Sequence, residues 1–469
     1  MADGGDSPSD LLVIFGITGD LARKMTFRAL YRLERRGLLN CPIVGVASDD
    51  ISIDKLVERA RDAITACGEN FDDAVFDRLA GRLSYLHGDV TDEKLYRRLA
   101  KLIGSECRPL YYLEMPPALF APIVENLAKA ELLEQARVAV EKPFGHDLDS
   151  ARDLNARLRA VLDEDQILRV DHFLGKQPVE ELQYLRFANR GLAQLWDRDS
   201  ISEIHVTMAE DFGIEDRGKF YDAVGALRDV VQNHLLQVLA LVAMEPPVGP
   251  GADDLNDKKA EVFRAMPALD PERCVRGQYR GYTDVAGVAK DSKTETYVAL
   301  KTEIDNWRWA GVPIFLRAGK ALPTRVTEVR MFLHHVPGFS FLPNRRPPEP
   351  NQIVLRIDPD PGMRLQLSAQ VGNSWHDVHL DSSFAEDLGE PVRPYERLLY
   401  AGLTGDRQLF AREDAIEETW RIVLPLLDKP GRIHHYDGGS WGPEAGQSLL
   451  RGHRNWQEPW LPHSSQTGQ

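Results

Sequence analysis

Three side chains that could bind or move charge lie within one short run, RVDHFLGK at 169–176. Asp171 and His172 directly follow an apolar, strand-like approach, and Lys176 comes four residues after His172. An acid, an imidazole and an ammonium so close together are typical of a hydrated loop or of the edge of a pocket that binds an anion. This run alone favours neither interpretation.

A second cation, Lys142, belongs to EKPFG at 141–145, which closes a predicted strand. In an open α/β sheet, ligands bind at the carboxyl edge of the strands, where this motif would lie. A cis bond before Pro143 would direct Lys142 into a cleft, since cis peptide bonds occur almost only before proline. The alternative is a surface lysine beside an ordinary turn, and both stay open.

A candidate base lies in a long apolar run, 229–244, that predicts a buried helix. Its polar members are Asp229, Gln232, Asn233, His234 and Gln237. A lone histidine in such a helix is more often a satisfied core residue. Because buried polar groups need partners, this many of them favour a helix face that lines a cleft. With an acid to orient it, His234 would be a suitable base near neutral pH.

A glycine loop, GITGDLA at 16–22, separates a predicted strand, LLVIFG, from the helix that follows. Backbone N–H groups in such a loop, with the helix N-terminus, can bind a pyrophosphate; a tight turn is the alternative. The strand before and the helix after favour the nucleotide site. We expect the Asp20 carboxylate to cap the helix, because a carboxylate there would otherwise repel phosphate. The candidate coenzyme residues of this loop are Gly16, Thr18, Gly19, Asp20 and Leu21.

The end of the next predicted strand, PIVGVA at 42–47, bears on the choice of coenzyme. Rossmann proteins that bind NAD usually carry an acid after this strand for the ribose hydroxyl, whereas NADP binders offer a basic residue. Here Ser48, Asp49 and Asp50 follow the strand, so the local charge is negative.

The elements that must position these residues change in character along the chain. Up to about residue 170, apolar runs alternate with helical patterns, which predicts a doubly wound parallel sheet of the Rossmann type. After about residue 200, strands with period-two alternation dominate, which predicts an α+β domain with a large, mostly antiparallel sheet. We expect a disordered tail at 1–10, a coenzyme-binding domain at 11–172, and a substrate and dimerisation domain at 173–469.

The composition excludes several classes of partner. A formal net charge of -15 over 469 residues argues against nucleic acid or an anionic membrane as the main partner. The longest apolar run, 235–244, is too short to span a bilayer, and the first ten residues lack the pattern of a signal peptide. The four cysteines are scattered, with no spacing typical of zinc. We therefore expect a cytoplasmic protein that binds no metal.

The four motifs, in this order and spacing, resemble those of the glucose-6-phosphate dehydrogenase family. The resemblance continues through AEDFGIEDRGKFYD, VPIFLRAGKAL, YERLL and GSWGP, and so covers nearly the whole chain from about residue 11. It implies a Rossmann coenzyme domain and a β+α domain whose sheet forms a dimer interface, hence a homodimer or homotetramer. It also implies oxidation of C1 of glucose 6-phosphate to the lactone, with NADP or NAD as coenzyme.

The resemblance assigns roles residue by residue. His234 matches the family's general base, and Asp171 matches the carboxylate that orients it. His172 and Lys176 match phosphate-binding residues. The positions that contact the sugar or its phosphate are Lys142, Glu210, Asp229, Lys320 and Arg325. Lys142 and Ser48 also fall among the coenzyme-binding positions.

Three departures from the family pattern bear on function. Phe173 stands where the family usually has tyrosine, and Met25 stands where a lysine is expected. Ser48 replaces the arginine commonly set against the 2′-phosphate of NADP, which favours good use of NAD, although Arg23 is a second cation that could contact that phosphate. Two alternatives stay open: an oxidoreductase for another hexose, and a non-catalytic regulatory paralogue that binds nucleotide or sugar phosphate.

Overall fold

The computed structural model describes residues 8–66, 68, 71–104, 107–337, 348–372, 374–389 and 392–461. Most of the expected tail, Cys67, part of the loop at 342–352 and the polar C-terminal end lie outside the described residues. The described chain forms two compact units. The first falls within 1–177, 248–256 and 392–417, and the second within 178–247, 257–391 and 418–469.

Fifteen strands and fifteen α-helices are found in the described residues. The strands are β1 (Leu11–Phe15), β2 (Ile43–Ala47), β3 (Leu83–His87), β4 (Pro109–Leu113), β5 (Arg137–Glu141), β6 (Ile167–Val170), β7 (Ile201–Ala209), β8 (Cys274–Tyr279), β9 (Tyr297–Thr302), β10 (Ile314–Gly319), β11 (Val326–Leu333), β12 (Gln352–Asp358), β13 (Gly362–Val371), β14 (Ser374–Ser383) and β15 (Ile433–Tyr436). The helices are α1 (Phe27–Arg35), α2 (Ile53–Thr65), α3 (Asp73–Arg82), α4 (Glu93–Ile103), α5 (Phe120–Lys129), α6 (Leu148–Arg159), α7 (Gln177–Phe187), α8 (Arg190–Ala193), α9 (Gly218–Ala226), α10 (Leu236–Ala243), α11 (Ala252–Ala265), α12 (Phe384–Leu388), α13 (Pro394–Thr404), α14 (Glu413–Asp428) and α15 (Ala445–Ser448).

The first unit is built on a six-stranded sheet in the order β3-β2-β1-β4-β5-β6, with every pair parallel. This is the Rossmann order, and it confirms the predicted doubly wound sheet. The chain order reverses between β1 and β4, so the loop after β1 lies at the switch point of the sheet. Ligands of such sheets bind beyond the carboxyl ends of the strands at that point.

Apolar side chains cover both faces of this sheet. Along β1 the alternate residues Leu12 and Ile14 belong to one buried cluster, and Leu11, Val13 and Phe15 belong to another. A strand buried on both faces reads as a continuous apolar run, which is why LLVIF is uniformly hydrophobic. The first cluster also contains apolar residues of α13, which returns to this unit from far along the chain.

Capping side chains mark where several helices of this unit begin. Ser52 caps α2 by accepting a hydrogen bond from the backbone N–H of Lys55 at 3.3 Å. Asp147 and Ser150 form a reciprocal capping box at the start of α6. These short polar residues satisfy the N–H groups that the first turn of a helix leaves without partners.

The second unit is built on a nine-stranded sheet in the order β14-β13-β12-β11-β7-β10-β9-β8-β15. The pairs β7–β10 and β8–β15 are parallel, and the other neighbours are antiparallel. The predicted large, mostly antiparallel sheet is therefore confirmed.

A buried helical segment of the second unit carries the predicted base. A π-helix at Leu227–Leu235 continues directly into α10, whose eight residues are all buried. Two tryptophans hold the end of α10, since Trp196 Nε1 donates to the Val242 carbonyl at 2.8 Å and Trp309 Nε1 donates to that of Ala243 at 2.7 Å. Among the described residues, α10 and every other helix is too short or too polar to cross a membrane.

Candidate active site

The glycine loop at the end of β1 can be formed only by glycine at its first position. Gly16 has φ +86°, and a Cβ there would lie 2.3 Å from the carbonyl oxygen of Glu114. The Gly19 N–H donates to the Gly16 carbonyl at 2.8 Å, which closes a tight turn ahead of the helical residues. The turn leads directly into helix at the sheet's switch point, the arrangement that binds a pyrophosphate through backbone N–H groups.

The residues after β2 lie close to this loop. The Thr18 hydroxyl donates to the Asp49 carboxylate, and the Tyr85 hydroxyl donates to the Asp49 carbonyl at 2.5 Å. Asp49 is thus fixed on both its side chain and its backbone, while Ser48 is exposed. The surface that would face the adenosine ribose carries a hydroxyl and carboxylates.

The Asp20 carboxylate does not cap the helix as the sequence led us to expect. It accepts from Arg23 Nη2 at 2.9 Å and from Lys24 Nζ at 3.1 Å, three and four residues further along the same helix. These hydrogen bonds lower the Asp20 pKa. Side chains at these spacings are neighbours on a helix surface, so ion pairing replaces capping.

Lys142 lies directly after β5, and its peptide bond to Pro143 is cis, as the EKPFG motif predicts. The residue before it, Glu141, is buried, and its Oε1 accepts a hydrogen bond from the Tyr112 hydroxyl at 2.5 Å. Burial raises the Glu141 pKa to about 7, although the Tyr112 hydrogen bond and the Lys142 charge oppose the rise. A titratable carboxyl therefore lies next to the predicted substrate lysine.

Glu114 is a second acid at the same edge of the sheet, at the end of β4. It accepts a hydrogen bond from the Thr26 hydroxyl, and its Oε2 is buried without a hydrogen-bond partner among the described residues. The Glu114 pKa is raised to about 8, chiefly by burial and to a smaller extent by the Glu141 charge, while the Thr26 hydrogen bond opposes the rise. The first unit thus carries two carboxyls that titrate near neutral pH.

Asp171 begins a tight turn after β6 and is 3% exposed. Its Oδ1 accepts a hydrogen bond from the Phe173 backbone N–H at 2.9 Å, and its carbonyl accepts from the Leu174 N–H at 2.9 Å. These bonds fix the carboxylate at the carboxyl end of the strand. In the sheet register Glu141 pairs with Val170, so Asp171 lies one residue beyond the partner of Glu141.

The predicted phosphate-binding residues belong to the same turn. The His172 ring stacks on the Tyr395 ring, with centroids 6.4 Å apart. Lys176 Nζ lies 3.9 Å from the centroid of the Phe173 ring, a cation–π geometry. The first unit therefore brings Lys142, Asp171, His172 and Lys176 to the ends of two adjacent strands, β5 and β6.

In the second unit, paired strand ends bring Glu210 and Lys320 together. Gly319 pairs with Ala209 in the parallel register of β7 and β10, so the next residue of each strand lies at the same edge. The Lys320 ammonium forms an ion pair with the Glu210 carboxylate and lies 4.0 Å from an Asp229 oxygen. Lys320 is 3% exposed, so this charge is held among two acids with little water.

The helix that carries Asp229 and His234 is fixed at its start by Glu295. Gly225 has φ +69°, the Ala226 N–H donates to the Glu295 carbonyl at 2.9 Å, and the Leu227 N–H donates to Glu295 Oε1 at 3.0 Å. His234 is 2% exposed, and its backbone N–H donates to Asn233 Oδ1 at 2.7 Å. A buried imidazole on a π-helical turn, a feature common at functional sites, suits a base of defined orientation.

Arg325 differs from the other predicted sugar-binding residues of this unit. Its guanidinium forms an ion pair with Asp358 Oδ2 at 2.7 Å, at the end of β12. Asp358 was not among the predicted site residues. An arginine already paired with a carboxylate binds a further anion as part of a charge network rather than as a free cation.

Sequence reasoning assigned no role to several residues that surround these groups: Tyr112, Glu114, Glu141, Tyr221 and Tyr395. The Tyr221 hydroxyl is buried without a hydrogen-bond partner among the described residues, and Lys320 Nζ lies 5.2 Å from its ring centroid. Burial raises the Tyr221 pKa well above its usual value, as does the nearby Asp229 charge. Polar residues at the carboxyl ends of predicted strands are the signal that could have found Tyr112, Glu114 and Glu141. Tyr221 and Tyr395 lie on helices, α9 and α13, where the sequence carries no such signal.

Comparisons with known proteins agree with this geometry. The model for the family described as glucose-6-phosphate dehydrogenase, NAD binding domain, matches residues 13–181, and that for the C-terminal domain matches residues 183–457. "Glucose-6-phosphate 1-dehydrogenase 1" of Mycobacterium bovis is 81% identical over 465 residues, which covers 99% of this chain and 100% of the relative.

Solved structures of glucose-6-phosphate dehydrogenases are also similar to this chain. The crystal structure of glucose-6-phosphate 1-dehydrogenase from Mycobacterium avium is 85% identical, with TM-score 0.94, and the match covers 97% of this chain and 100% of that chain. A glucose-6-phosphate dehydrogenase in complex with its substrate glucose 6-phosphate is 33% identical, with TM-score 0.90, over 98% of this chain and 100% of that chain. The chain belongs to the glucose-6-phosphate dehydrogenase family.

Proposed function

We propose that this protein oxidises D-glucose 6-phosphate at C1 to 6-phospho-D-glucono-1,5-lactone, the first step of the pentose phosphate pathway. The bound nicotinamide coenzyme accepts the hydride from C1. The observation that carries this proposal is family membership over nearly the whole chain, since full-length relatives bear the name glucose-6-phosphate 1-dehydrogenase. The chain's own residues must then bind the sugar phosphate, orient it and take up the hydroxyl proton.

We assign the proton to His234. The Nε2 or Nδ1 atom of a neutral imidazole accepts the proton of the C1 hydroxyl, and a positioned base of this kind contributes about 10² to 10⁴ in rate. Asp171 is the carboxylate that orients the imidazole and stabilises its charged form. Burial of both side chains supports this assignment, because an imidazolium in a site with little water needs a nearby anion.

The other charged residues of the site bind either the phosphate or the sugar hydroxyls. His172 and Lys176 bind the phosphate dianion, since cationic donors form strong charge-assisted hydrogen bonds with it. Glu210 and Asp229 accept hydrogen bonds from sugar hydroxyls, and Lys320 holds these two carboxylates in place. Lys142 contacts the substrate from the end of β5, and Arg325, paired with Asp358, adds a further cation to the sugar-phosphate site.

For the coenzyme we infer that the protein uses NAD well, with Ser48 and Asp49 facing the adenosine ribose. The Asp49 carboxylate, fixed by Thr18, is a hydrogen-bond acceptor for ribose hydroxyls and repels a 2′-phosphate. Arg23 is bound to Asp20, which reduces its availability for that phosphate. Gly16, Gly19 and Leu21 provide the backbone of the pyrophosphate loop.

We further propose a homodimer or homotetramer that forms through the second unit, in the cytoplasm. Strands β13 and β14 are antiparallel partners, and Leu367 lies opposite Val378. Val371 and Leu380 share that face by the alternation of side chains along a strand. All four apolar side chains are exposed by 39% or more, which is typical of an interface that a partner covers.

The experiment is coenzyme reduction by purified protein with glucose 6-phosphate, with free glucose as the matched substrate. We expect turnover with the phosphorylated sugar and a far lower kcat/KM with glucose. Equal kcat/KM for both would favour a dehydrogenase of another hexose. Tight binding of glucose 6-phosphate without any turnover would instead indicate a regulatory paralogue.

A further inference from the structure

The helix that carries the predicted base, residues 227–243 (the base helix), has no cap from its own sequence. It begins at Leu227, and the preceding residue, Ala226, has no side chain that could accept a hydrogen bond. The first turn of a helix leaves backbone N–H groups that need acceptors, and such groups are costly to bury without one. The acceptor must therefore come from elsewhere in the chain.

Glu295 provides this acceptor from 68 residues further along the chain. The Leu227 N–H donates to Glu295 Oε1 at 3.0 Å, and the Ala226 N–H donates to the Glu295 carbonyl at 2.9 Å. A Cβ on Gly225 would lie 2.5 Å from Glu295 Oε1, so the carboxylate occupies the space that a side chain there would fill. The helix dipole also favours a carboxylate at this end of a helix.

Arg276 binds the other oxygen of the same carboxylate. Arg276 Nη2 and Nε both donate to Glu295 Oε2, at 2.6 Å and 3.2 Å. The same guanidinium donates to the carbonyls of Gly431 and Lys293, at 3.0 Å and 3.1 Å. Glu295 is 5% exposed, so one buried carboxylate joins the start of the base helix to strand β8, which carries Arg276.

The segment that contains Glu295 also holds the backbone of Lys320. The Lys320 N–H donates to the Thr296 carbonyl at 2.9 Å, and the Tyr436 hydroxyl donates to the Lys320 carbonyl at 2.7 Å. Because Glu295 and Thr296 are neighbours in sequence, adjacent residues bind the start of the base helix and the end of β10. The Lys320 ammonium in turn lies 4.0 Å from an oxygen of Asp229, in the first turn of the helix.

We propose that Glu295 is a positioning residue for the reaction. Its carboxylate, held by Arg276, fixes the first turn of the base helix. The position of that turn determines where Asp229 and His234 lie relative to Lys320. This inference rests on the proposed function, in which the base helix provides both the base and a carboxylate that binds the sugar. Glu295 acts through these residues and does not itself touch the substrate.

Three variants separate the cap from the charge. Glu295→Gln loses the charge but keeps an oxygen for the Leu227 N–H. Glu295→Leu loses both, and Glu295→Leu/Arg276→Met also removes the arginine that Glu295→Leu leaves without its carboxylate. Glu328→Leu is the matched control, because Glu328 is also 5% exposed, belongs to the same unit and accepts hydrogen bonds from an arginine, Arg330.

For each protein, kcat and the Michaelis constants are measured with glucose 6-phosphate and with its C1-deuterated form, and the free energy of unfolding is measured alongside. We expect Glu295→Leu to lower kcat/KM for glucose 6-phosphate roughly 10- to 100-fold, because small displacements of reacting groups are costly. The Michaelis constant for the coenzyme should stay unchanged. The deuterium isotope effect should be as large as in the wild type or larger, since hydride transfer is the step that slows.

The other variants distinguish positioning from a merely structural role. Glu295→Gln should keep kcat/KM close to the wild-type value, because its side-chain oxygen still caps the helix. The double variant should regain stability, since an apolar replacement of a buried ion pair is often neutral, but should keep the low kcat/KM. Glu328→Leu should lower stability and leave kcat/KM unchanged.

Wild-type kcat/KM in Glu295→Leu would overturn the inference, as would a double variant that regains both stability and kcat/KM. An equal loss of kcat/KM in Glu328→Leu, or a smaller isotope effect in Glu295→Leu, would also overturn it. Should Glu295→Leu fail to fold, the double variant decides the matter, since it lacks the cap without burying an unpaired arginine. Failure of the proposed function looks different, because the wild-type protein itself would then not oxidise glucose 6-phosphate, and the role of Glu295 would fall with it.

Discussion

The rings of Tyr395 and His172 lie parallel, 6.4 Å apart between centroids and 7° apart in orientation. Tyr395 comes from the first turn of α13, and His172 comes from the turn after β6. Contacts between such distant segments set the geometry of the predicted phosphate site. The residues that touch a substrate are therefore only part of what determines how it is held.

The turn after β6 gives a first prediction. Lys176 Nζ lies over the ring of Phe173, at a position where the family usually has tyrosine. A hydroxyl there adds one donor to the phosphate, and a neutral hydrogen bond contributes about 0.5–1.5 kcal/mol. We expect Phe173→Tyr to lower the Michaelis constant for glucose 6-phosphate roughly two- to tenfold with kcat nearly unchanged. Phe71→Tyr, far from the turn, is the control; an unchanged or raised constant in Phe173→Tyr would contradict the assignment of this turn to the phosphate.

The coenzyme assignment gives a second prediction. An arginine at position 48 would offer a 2′-phosphate a charge-assisted hydrogen bond, worth about 1.5–3 kcal/mol. We expect Ser48→Arg to raise the ratio of kcat/KM for NADP to that for NAD roughly 10- to 100-fold. Ser448→Arg makes the same substitution at an exposed serine of the second unit and should leave the ratio unchanged. A wild-type enzyme that already prefers NADP strongly would show that the residues after β2 do not decide the choice.

The ion pair in the second unit gives a third prediction. Lys320→Met removes the buried cation that pairs with Glu210 and lies beside Asp229. It should therefore raise the Michaelis constant for glucose 6-phosphate and destabilise the protein by about 1–3 kcal/mol. The double variant Lys320→Met/Glu210→Leu removes both partners of the pair. It should regain stability, because an apolar replacement of a buried pair is often neutral, but should not regain substrate binding. Recovery of binding in the double variant would show that these charges do not contact the sugar.

The two buried carboxyls of the first unit give a fourth prediction, on stability and pH. Burial holds the Glu114 pKa at about 8 in the folded protein, against an ordinary value of 4.5. Between these values the folded state keeps a proton that the unfolded chain has lost. The free energy of unfolding should therefore fall as pH rises, by about 1.4 kcal/mol per pH unit from this group. Above the folded pKa of Glu114, this residue should no longer make the free energy of unfolding depend on pH.

Denaturant unfolding at several pH values tests whether the free energy of unfolding falls as pH rises. Glu114→Gln cannot titrate and should show a shallower fall than the wild type between about pH 5 and pH 8. Glu141→Gln should also make this fall shallower, but only up to about pH 7, since the folded pKa of Glu141 is about 7. The control Glu134→Gln replaces an exposed acid and should keep the wild-type slope. Parallel curves for the wild type and Glu114→Gln would show that Glu114 is ionised in the folded protein.

Much of the fold could be predicted from the sequence because it follows from local periodicity. Apolar runs of strand length, separated by helical patterns, fix a parallel sheet whose carboxyl ends meet at one edge. That edge is where Lys142 and Asp171 lie, so their proximity follows from strand order alone. The Glu210 and Lys320 pair is different, because it depends on the register between β7 and β10, which no local pattern in the sequence specifies.

The features that the sequence did not predict are of two kinds. Some depend on tertiary contacts, and others on which of two local interactions or helix types forms when the same sequence pattern permits both. Asp20 can satisfy its charge by capping a helix or by pairing with Arg23 and Lys24, and the structure shows the pairing. The π-helical turn at 227–235 has the same apolar pattern as an α-helix. Tyr395 belongs to the YERLL motif, but its ring contacts His172, which lies far from it in sequence.

In the proposed reaction His234 takes the proton of the C1 hydroxyl, with Asp171 as its partner. The most direct measurement is the kcat of His234→Asn for oxidation of glucose 6-phosphate, with the dissociation constant for the sugar phosphate measured on the same protein. His334→Asn serves as the control, since that exposed histidine lies outside the site. We expect His234→Asn to lower kcat by a factor of about 10² to 10⁴ with the dissociation constant nearly unchanged, and Asp171→Asn to lower kcat as well. A His234→Asn protein that turns over at close to the wild-type rate would contradict the assignment of the proton to His234.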